Sequence, residues 1–404
     1  MSALDGFDGF DGFDGFDGFD GFDGFDGFDG FDGFGGLRRG SSGALITHRD
    51  GIVGFWEKKG VVWPGDELDV GTEVNLSRWD ARVRRFVFES ELLSGLQFTT
   101  DSAKKSASLW HVNFDLTKAP PECQLTELVK MTRPGEAILK DQIDLVNGYS
   151  DLRADRAREI VAQKAPQFAF WGSVIPLYQA RHARTIELLQ LVLRLAKYAE
   201  MNFKHALCVR RPHEYSPQVQ PIIETPAHGS LPSGHSTEAF AIARIMLELF
   251  IPPPNKPQPT ADAIKQLRQQ LIRQAARIAI NRTVAGLHYP VDSMAGQLLG
   301  LSMAEYFIAR CTADKSKPKT GEVKAWEFVG PQFEGDEDFD GQKHFEIGSG
   351  DRKEAKSESN QQVYATPLMD TSKNPAVPVV ANVDRSENLK WLWSAARDEW
   401  QIPK

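Results

Sequence analysis

Four long stretches at helical spacing constrain this chain most. From Thr185 to Arg210 there is no proline or glycine, and Ile186, Leu189, Leu193 and Ala196 recur on one stripe, which predicts one long helix. Thr237–Phe250 predicts a second, stopped by Pro252, Pro253 and Pro254. A third is expected from about Thr260 to Val284, with Ile264, Leu267, Leu271, Ala275 and Ile278 in line, and a fourth from Pro290 to Phe307. The fold class is therefore mainly α, a helical bundle with an irregular N-terminal cover and disordered tails. The most apolar runs, Ala239–Phe250 and Met294–Ala309, are shorter than the roughly 18–20 residues of a bilayer span, so no membrane span is expected.

The material around the bundle differs from it. Residues 5–34 are ten Asp-Gly-Phe triplets, whose period of three suits neither helix nor strand; with the glycine-rich linker they make residues 1–43 a disordered segment. The tract holds ten of the 55 acids and no base, so the net charge of -8 hides a body with 45 acids against 47 bases. Such a body is not a basic nucleic-acid binder. Residues 44–134 mix short apolar runs with glycine and proline and read as an irregular cover. Residues 135–311 form the helical domain, and residues 312–404 a polar tail, partly ordered, whose Lys390–Trp400 end carries three tryptophans able to pack back on the body. Cys123, Cys208 and Cys311 form no CxxC pair and read as buried or half-buried thiols. No secretory signal fits the start of the chain, and a cytoplasmic location is expected.

The chemistry is carried by charges in unexpected places. The apolar stripe of the third helix lands next on Arg282, and Met201, Lys204, Cys208 and Arg211 share one face of the first. Inward cations need carboxylates or a bound anion. The segment from Pro226 through His228 to Pro232, Ser233, Gly234 and His235 then opens the second helix, where glycine, a hydroxyl and a helix N-terminus make an oxyanion cradle. Gly286 and Pro290 predict a break that lets Arg282 and His288 point at one site, with Asp292 accepting from one His288 nitrogen and fixing its tautomer.

Lys204-x6-Arg211-Pro212, Pro232-Ser233-Gly234-His235 and Arg282-x5-His288-x3-Asp292 together resemble the three-part signature of the vanadium haloperoxidase and type 2 phosphatidic acid phosphatase superfamily. The resemblance covers about residues 135–310. It implies that Lys204, Arg211, Arg282, Ser233 and the Gly234 amide bind the equatorial oxygens of an oxyanion, with His288 axial. In a phosphatase, His288 would be the nucleophile and His235 would protonate the leaving alcohol. In a haloperoxidase, His288 would hold the vanadium of a vanadate cofactor and His235 would serve as acid–base for hydrogen peroxide, with a halide and a small organic acceptor as co-substrates.

His228, seven residues before His235, is similar to the second histidine of bromide- and iodide-oxidising haloperoxidases. With the large N-terminal part, it places a vanadate-dependent bromo- or iodoperoxidase ahead of a soluble acid phosphatase; a non-catalytic assembly protein driven by the repeat is the third reading. One departure is the spacing of only 19 residues between Pro212 and Pro232, shorter than in well-known haloperoxidases. A homo-oligomer is compatible with the resemblance. Asp336, Asp338, Asp340 and Gly341 have the spacing of half a calcium loop, but Glu346 falls one position early, and a chance match in an acidic tail outweighs calcium.

Overall fold

The computed structural model describes residues 47–48, 51–52, 69–115, 117–164, 167–251, 258–314, 316, 321–342 and 364–400. The Asp-Gly-Phe tract, its linker, the Val61–Trp63 run and Glu346 lie outside the described residues. The described residues divide into two compact units, one ending at residue 87 and one beginning at residue 88. In the smaller unit a short 3-10 turn, Glu73–Arg78, precedes helix α1, Ala81–Leu93, which continues into the larger.

The larger unit is mainly α. Its helices are α2 (Glu136–Tyr149), α3 (Arg153–Ala162), α4 (Ala183–Leu207), α5 (Gly234–Phe250), α6 (Ala261–Val284), α7 (Pro290–Thr312) and α8 (Glu387–Asp398). The four predicted helices all form. Thr260 caps α6 by accepting from the Ala263 N–H, and Pro290 takes the first position of α7. Leu188, Leu189, Leu195, Ala196, Ala199 and Phe203 of α4 are buried, each larger side chain contributing roughly 1.5–3 kcal/mol of burial.

The α5–α7 contact positions the site. Gly296 of α7 is so close to α5 that a Cβ there would sit 2.6 Å from the Ser233 carbonyl, and Gly300 one turn on meets the Thr237 carbonyl in the same way. Only glycines let the backbones approach this far. The close approach sets the Ser233 N–H on the Asp292 carbonyl at 2.9 Å, so the N-termini of α5 and α7 meet.

The predicted irregular cover is more regular than expected. Strands β1 (Leu96–Asp101), β2 (Ser106–Asp115) and β3 (Glu122–Thr132) form an antiparallel meander with a bulge at Leu109 and Trp110. β3 pairs in parallel with β4 (Trp326–Val329), which pairs antiparallel with β5 (Ala365–Pro367). The strands escape sequence reading because Ser106, Ala107, Ser108 and Leu109 are all buried, which erases the alternation that marks a strand. The polar tail thus supplies two strands of the sheet and also α8, which packs on α4. Glu399, just past α8, accepts from the Arg184 and Thr185 backbone N–H groups at 2.6 and 2.8 Å and caps α4 from outside.

The thiols need correcting too. Cys311 is buried, but Cys123 and Cys208 are exposed. Cys208 ends α4 in the left-handed region (φ 47°), and Cys123 lies near the exposed start of β3.

Candidate active site

The left-handed turn at Cys208 changes how the cations converge. Sequence spacing put Lys204 and Arg211 on one face of a single helix; instead α4 stops at Leu207 and Arg211 stands in extended backbone before the short helix Pro212–Tyr215. Both side chains still turn inward, and with Arg282 they are 1–2% exposed.

None of the three has an ordinary surface setting. Lys204 Nζ donates to the Gly229 and Ser230 carbonyls, each at 3.3 Å. Arg211 donates through Nε to the His228 carbonyl (3.1 Å) and through Nη1 to the Leu287 carbonyl (3.1 Å). Arg282 Nη2 donates to the Ile160 carbonyl (3.1 Å) and to Gln163 Oε1 (3.0 Å). Burial first, and then the neighbouring Arg211, push the Lys204 amine down to about 7, because Glu200 and Asp292 offset only part of the cost. Burial lowers Arg211 to about 10.

The break after α6 falls where expected: the helix ends at Val284, and Gly286 takes φ +81°. His288 follows, with Nδ1 3.0 Å from Asp292 Oδ2, the same oxygen that accepts from the Tyr289 N–H at 3.1 Å. The carboxylate fixes the proton on Nδ1, so Nε2 keeps its lone pair, 3.4 Å from Arg211 Nη1. Burial, then Arg211 and Lys204, hold His288 well below the usual imidazole range, while burial raises Asp292. Ser233 is the residue before α5, yet its hydroxyl does not cap that helix; Oγ is buried without a hydrogen-bond partner among the described residues. Gly234 opens α5 with a Cβ direction already filled by the Glu200 carboxylate, 2.7 Å away. A side chain at position 234 would require the Glu200 carboxylate to move.

His235 holds Nε2 3.0 Å from the Gln163 carbonyl, which places a proton on that nitrogen, and Arg282 Nη1 is 3.5 Å away. Burial and Arg282 depress its basicity well below normal. His228 is half-buried with Nδ1 3.3 Å from Arg211 Nη2, and burial followed by Lys204 and Arg211 lowers it to about 3. The structure therefore gathers Lys204, Arg211, His228, Ser233, Gly234, His235, Arg282, His288 and Asp292 around one centre.

The donor set fits a tetrahedral oxyanion, phosphate or vanadate alike. Three buried cations share this region with Asp292, already engaged by His288, and with Glu200, held by Lys197, while a buried hydroxyl and a helix N-terminus stand beside them. The acidic triplet behaves differently: Asp338 accepts from the Tyr149 hydroxyl at 2.7 Å, Asp340 from the Gln342 N–H at 2.9 Å, and among the described residues no group of three or more His, Cys, Asp or Glu is placed to hold a metal ion.

Sequence reasoning missed Gln163, just past the end of α3. It is fully buried and touches both Arg282 and His235. Its signal was a polar stripe, Arg156, Glu159 and Gln163, at helical steps of three and four.

A mainly helical unit with buried cations gathered near a carboxylate-held histidine is the class that fold and site define. Residues 188–316 match the family model of the PAP2 superfamily, and the chain carries a PAP2 superfamily domain. Among solved structures, the chain is similar to a transmembrane PAP2 type phosphatidylglycerolphosphate phosphatase from Bacillus subtilis, 18% identical over 42% of this chain and 80% of that one, with a TM-score of 0.26, too distant to transfer geometry. No curated protein matches the chain. Among the described residues, no helix is long and apolar enough to cross a membrane.

Proposed function

We propose that the protein is a phosphoester hydrolase that works through a phosphohistidine at His288. The sequence alone favoured the haloperoxidase branch; the superfamily match does not single out that branch and supports the phosphatase reading at least as well. The observation that carries the reading is the His288 setting, with Nδ1 held by Asp292, Nε2 3.4 Å from Arg211 Nη1, and Lys204 near enough to lower the basicity of the ring. In this reading Lys204, Arg211, Arg282, Ser233 Oγ and the Gly234 N–H bind the three non-bridging oxygens, whose negative charge builds in the five-coordinate transition state. His288 Nε2 attacks phosphorus, the P–O bond to the alcohol breaks, and His235 gives its proton to the departing oxygen. Water then attacks the phosphohistidine, His235 takes the water's proton, and His288 leaves with its lone pair restored. The substrate's own charge favours this cycle, because an anion beside His235 and Lys204 raises both depressed pKa values.

The test is release of p-nitrophenol from p-nitrophenyl phosphate by the full chain. Trapping of phosphate on His288 and loss of turnover in His288→Ala are expected; hydrolysis retained by that variant would refute the role.

A second reading rests on His228, packed against Arg211 at the edge of the cradle. The same residues would hold vanadate, with His288 as its protein ligand, and bound vanadate would supply peroxide activation for bromide or iodide oxidation. Bromination or iodination of a phenolic dye by vanadate-loaded protein, with no phosphatase activity in its absence, would favour this reading.

A further inference from the structure

We infer that Gln163 is a positioning residue for the oxyanion site, setting Arg282 and His235 from a helix that lies outside both the sequence signature and the matched family segment. The inference rests on the oxyanion reading of the site and deepens it.

Each polar atom of Gln163 has a defined partner. Oε1 accepts from Arg282 Nη2 and from Asn281 Nδ2, each at 3.0 Å. Nε2 donates to Glu159 Oε1 at 3.1 Å, and the backbone carbonyl accepts from His235 Nε2 at 3.0 Å. One buried residue thus fixes the guanidinium that would bind the anion and the imidazole that would move the proton. The amide is itself held. Glu159 takes two hydrogen bonds from Arg277, both at 2.7 Å, and one from Asn281 at 2.9 Å, while Arg156 donates to Asn281 Oδ1 at 3.1 Å. Arg156, Glu159 and Gln163 lie on one face of α3 and its end, so the helix presents a rigid polar stripe to the end of α6.

The chemistry also requires an amide. Oε1 fixes Arg282 through an uncharged acceptor, which does not itself neutralise the guanidinium. A glutamate at 163 would keep the shape and the acceptors but lose the donor to Glu159, set a second carboxylate beside it, and add a negative charge against Arg282 that competes with the anion. A leucine would keep the volume and strand the Arg282 and Asn281 donors.

Calorimetric titration of the full-length protein with orthovanadate, alongside p-nitrophenyl phosphate kinetics and thermal melting, tests this. Measured well below its melting temperature, Gln163→Glu should bind orthovanadate about tenfold or more weakly, with KM raised in proportion. A residue that served the fold alone would lower the active fraction, and so kcat, while leaving the affinity and KM of the folded protein unchanged. Gln163→Leu should weaken binding by a similar factor, and if it does not fold, Gln163→Glu alone decides. Wild-type affinity and KM in Gln163→Glu overturn the inference, as does failure of the wild type to bind orthovanadate at all. Binding without hydrolysis by the wild type would instead sink the phosphatase reading while the Gln163 comparison still stands on affinity.

Discussion

Two lysines on α4, the half-buried Lys197 and the fully buried Lys204, meet opposite fates. Lys197 Nζ lies 2.9 Å from Glu200 Oε1 and 3.4 Å from Glu238 Oε1. Burial alone would lower its amine, but the two carboxylates outweigh that and raise it. Lys204, two turns on, has carbonyls and a neighbouring arginine instead, and its amine falls. Arg244 repeats the first pattern with Glu248 and Glu305, and Arg282 the second with Ile160 and Gln163. Lys197 and Arg244 meet their counter-charge in carboxylates of the chain; in the oxyanion reading Lys204 would meet part of its own in a ligand.

The largest effect should come from the histidine near Lys204. His288→Ala is expected to lower phosphatase turnover about 10⁴-fold or more, read by single-turnover release of p-nitrophenol. The lysine pair should then separate by sign. Lys197→Met strands Glu200 and Glu238 in the interior and should cost roughly 3–5 kcal/mol in denaturant unfolding. Lys204→Met removes an under-compensated cation and should leave stability unchanged or raise it by about 1 kcal/mol, while weakening anion binding. Equal losses in the two variants would erase the distinction.

The two patterns also differ in how far the sequence reveals them. The four helices were legible because each runs for many residues at one period between clear caps and stops, as Thr260 and Pro290 show. The His288–Asp292 pair was legible because a four-residue step across a helix start fixes geometry locally. The way Arg211 reaches the site was not, since Cys208 has no glycine to announce its left-handed turn. Gln163 and Glu200 were hidden for a different reason: the polar stripe through Gln163 marks a helix face but not what it meets, and the contacts that matter lie in other elements, Gln163 against Arg282 and Glu200 beneath Gly234. The strands from the polar tail were hidden by their length, three or four residues each.

Titration gives a finer contrast. The folded-state pKa of Lys204, about 7, lies below its unfolded value, so between them the unfolded chain binds more protons. Stability from this group is therefore lost as pH falls through that window and regained as pH rises. A bound dianion reverses the bias by favouring the protonated amine. Affinity for tungstate, whose own charge is constant above neutral pH, should fall by up to about tenfold per pH unit above 7, and the slope should vanish in Lys204→Met. A slope that survives in that variant would assign the titrating proton elsewhere.

His228 is the group to which such a proton would most readily be assigned, and it sets the smallest predicted effect. Its imidazole touches Arg211, and with its pKa lowered to about 3 it is neutral throughout the range in which Lys204 titrates. A neutral contact to one arginine nitrogen is worth about a threefold change in affinity or less. Tungstate titration of His228→Ala should show a shift of that size with the wild-type pH slope intact. If the slope flattened instead, the ionisation governing anion binding would belong to the histidine at the edge of the site, and the contrast between Lys197 and Lys204 would describe the fold without describing the chemistry.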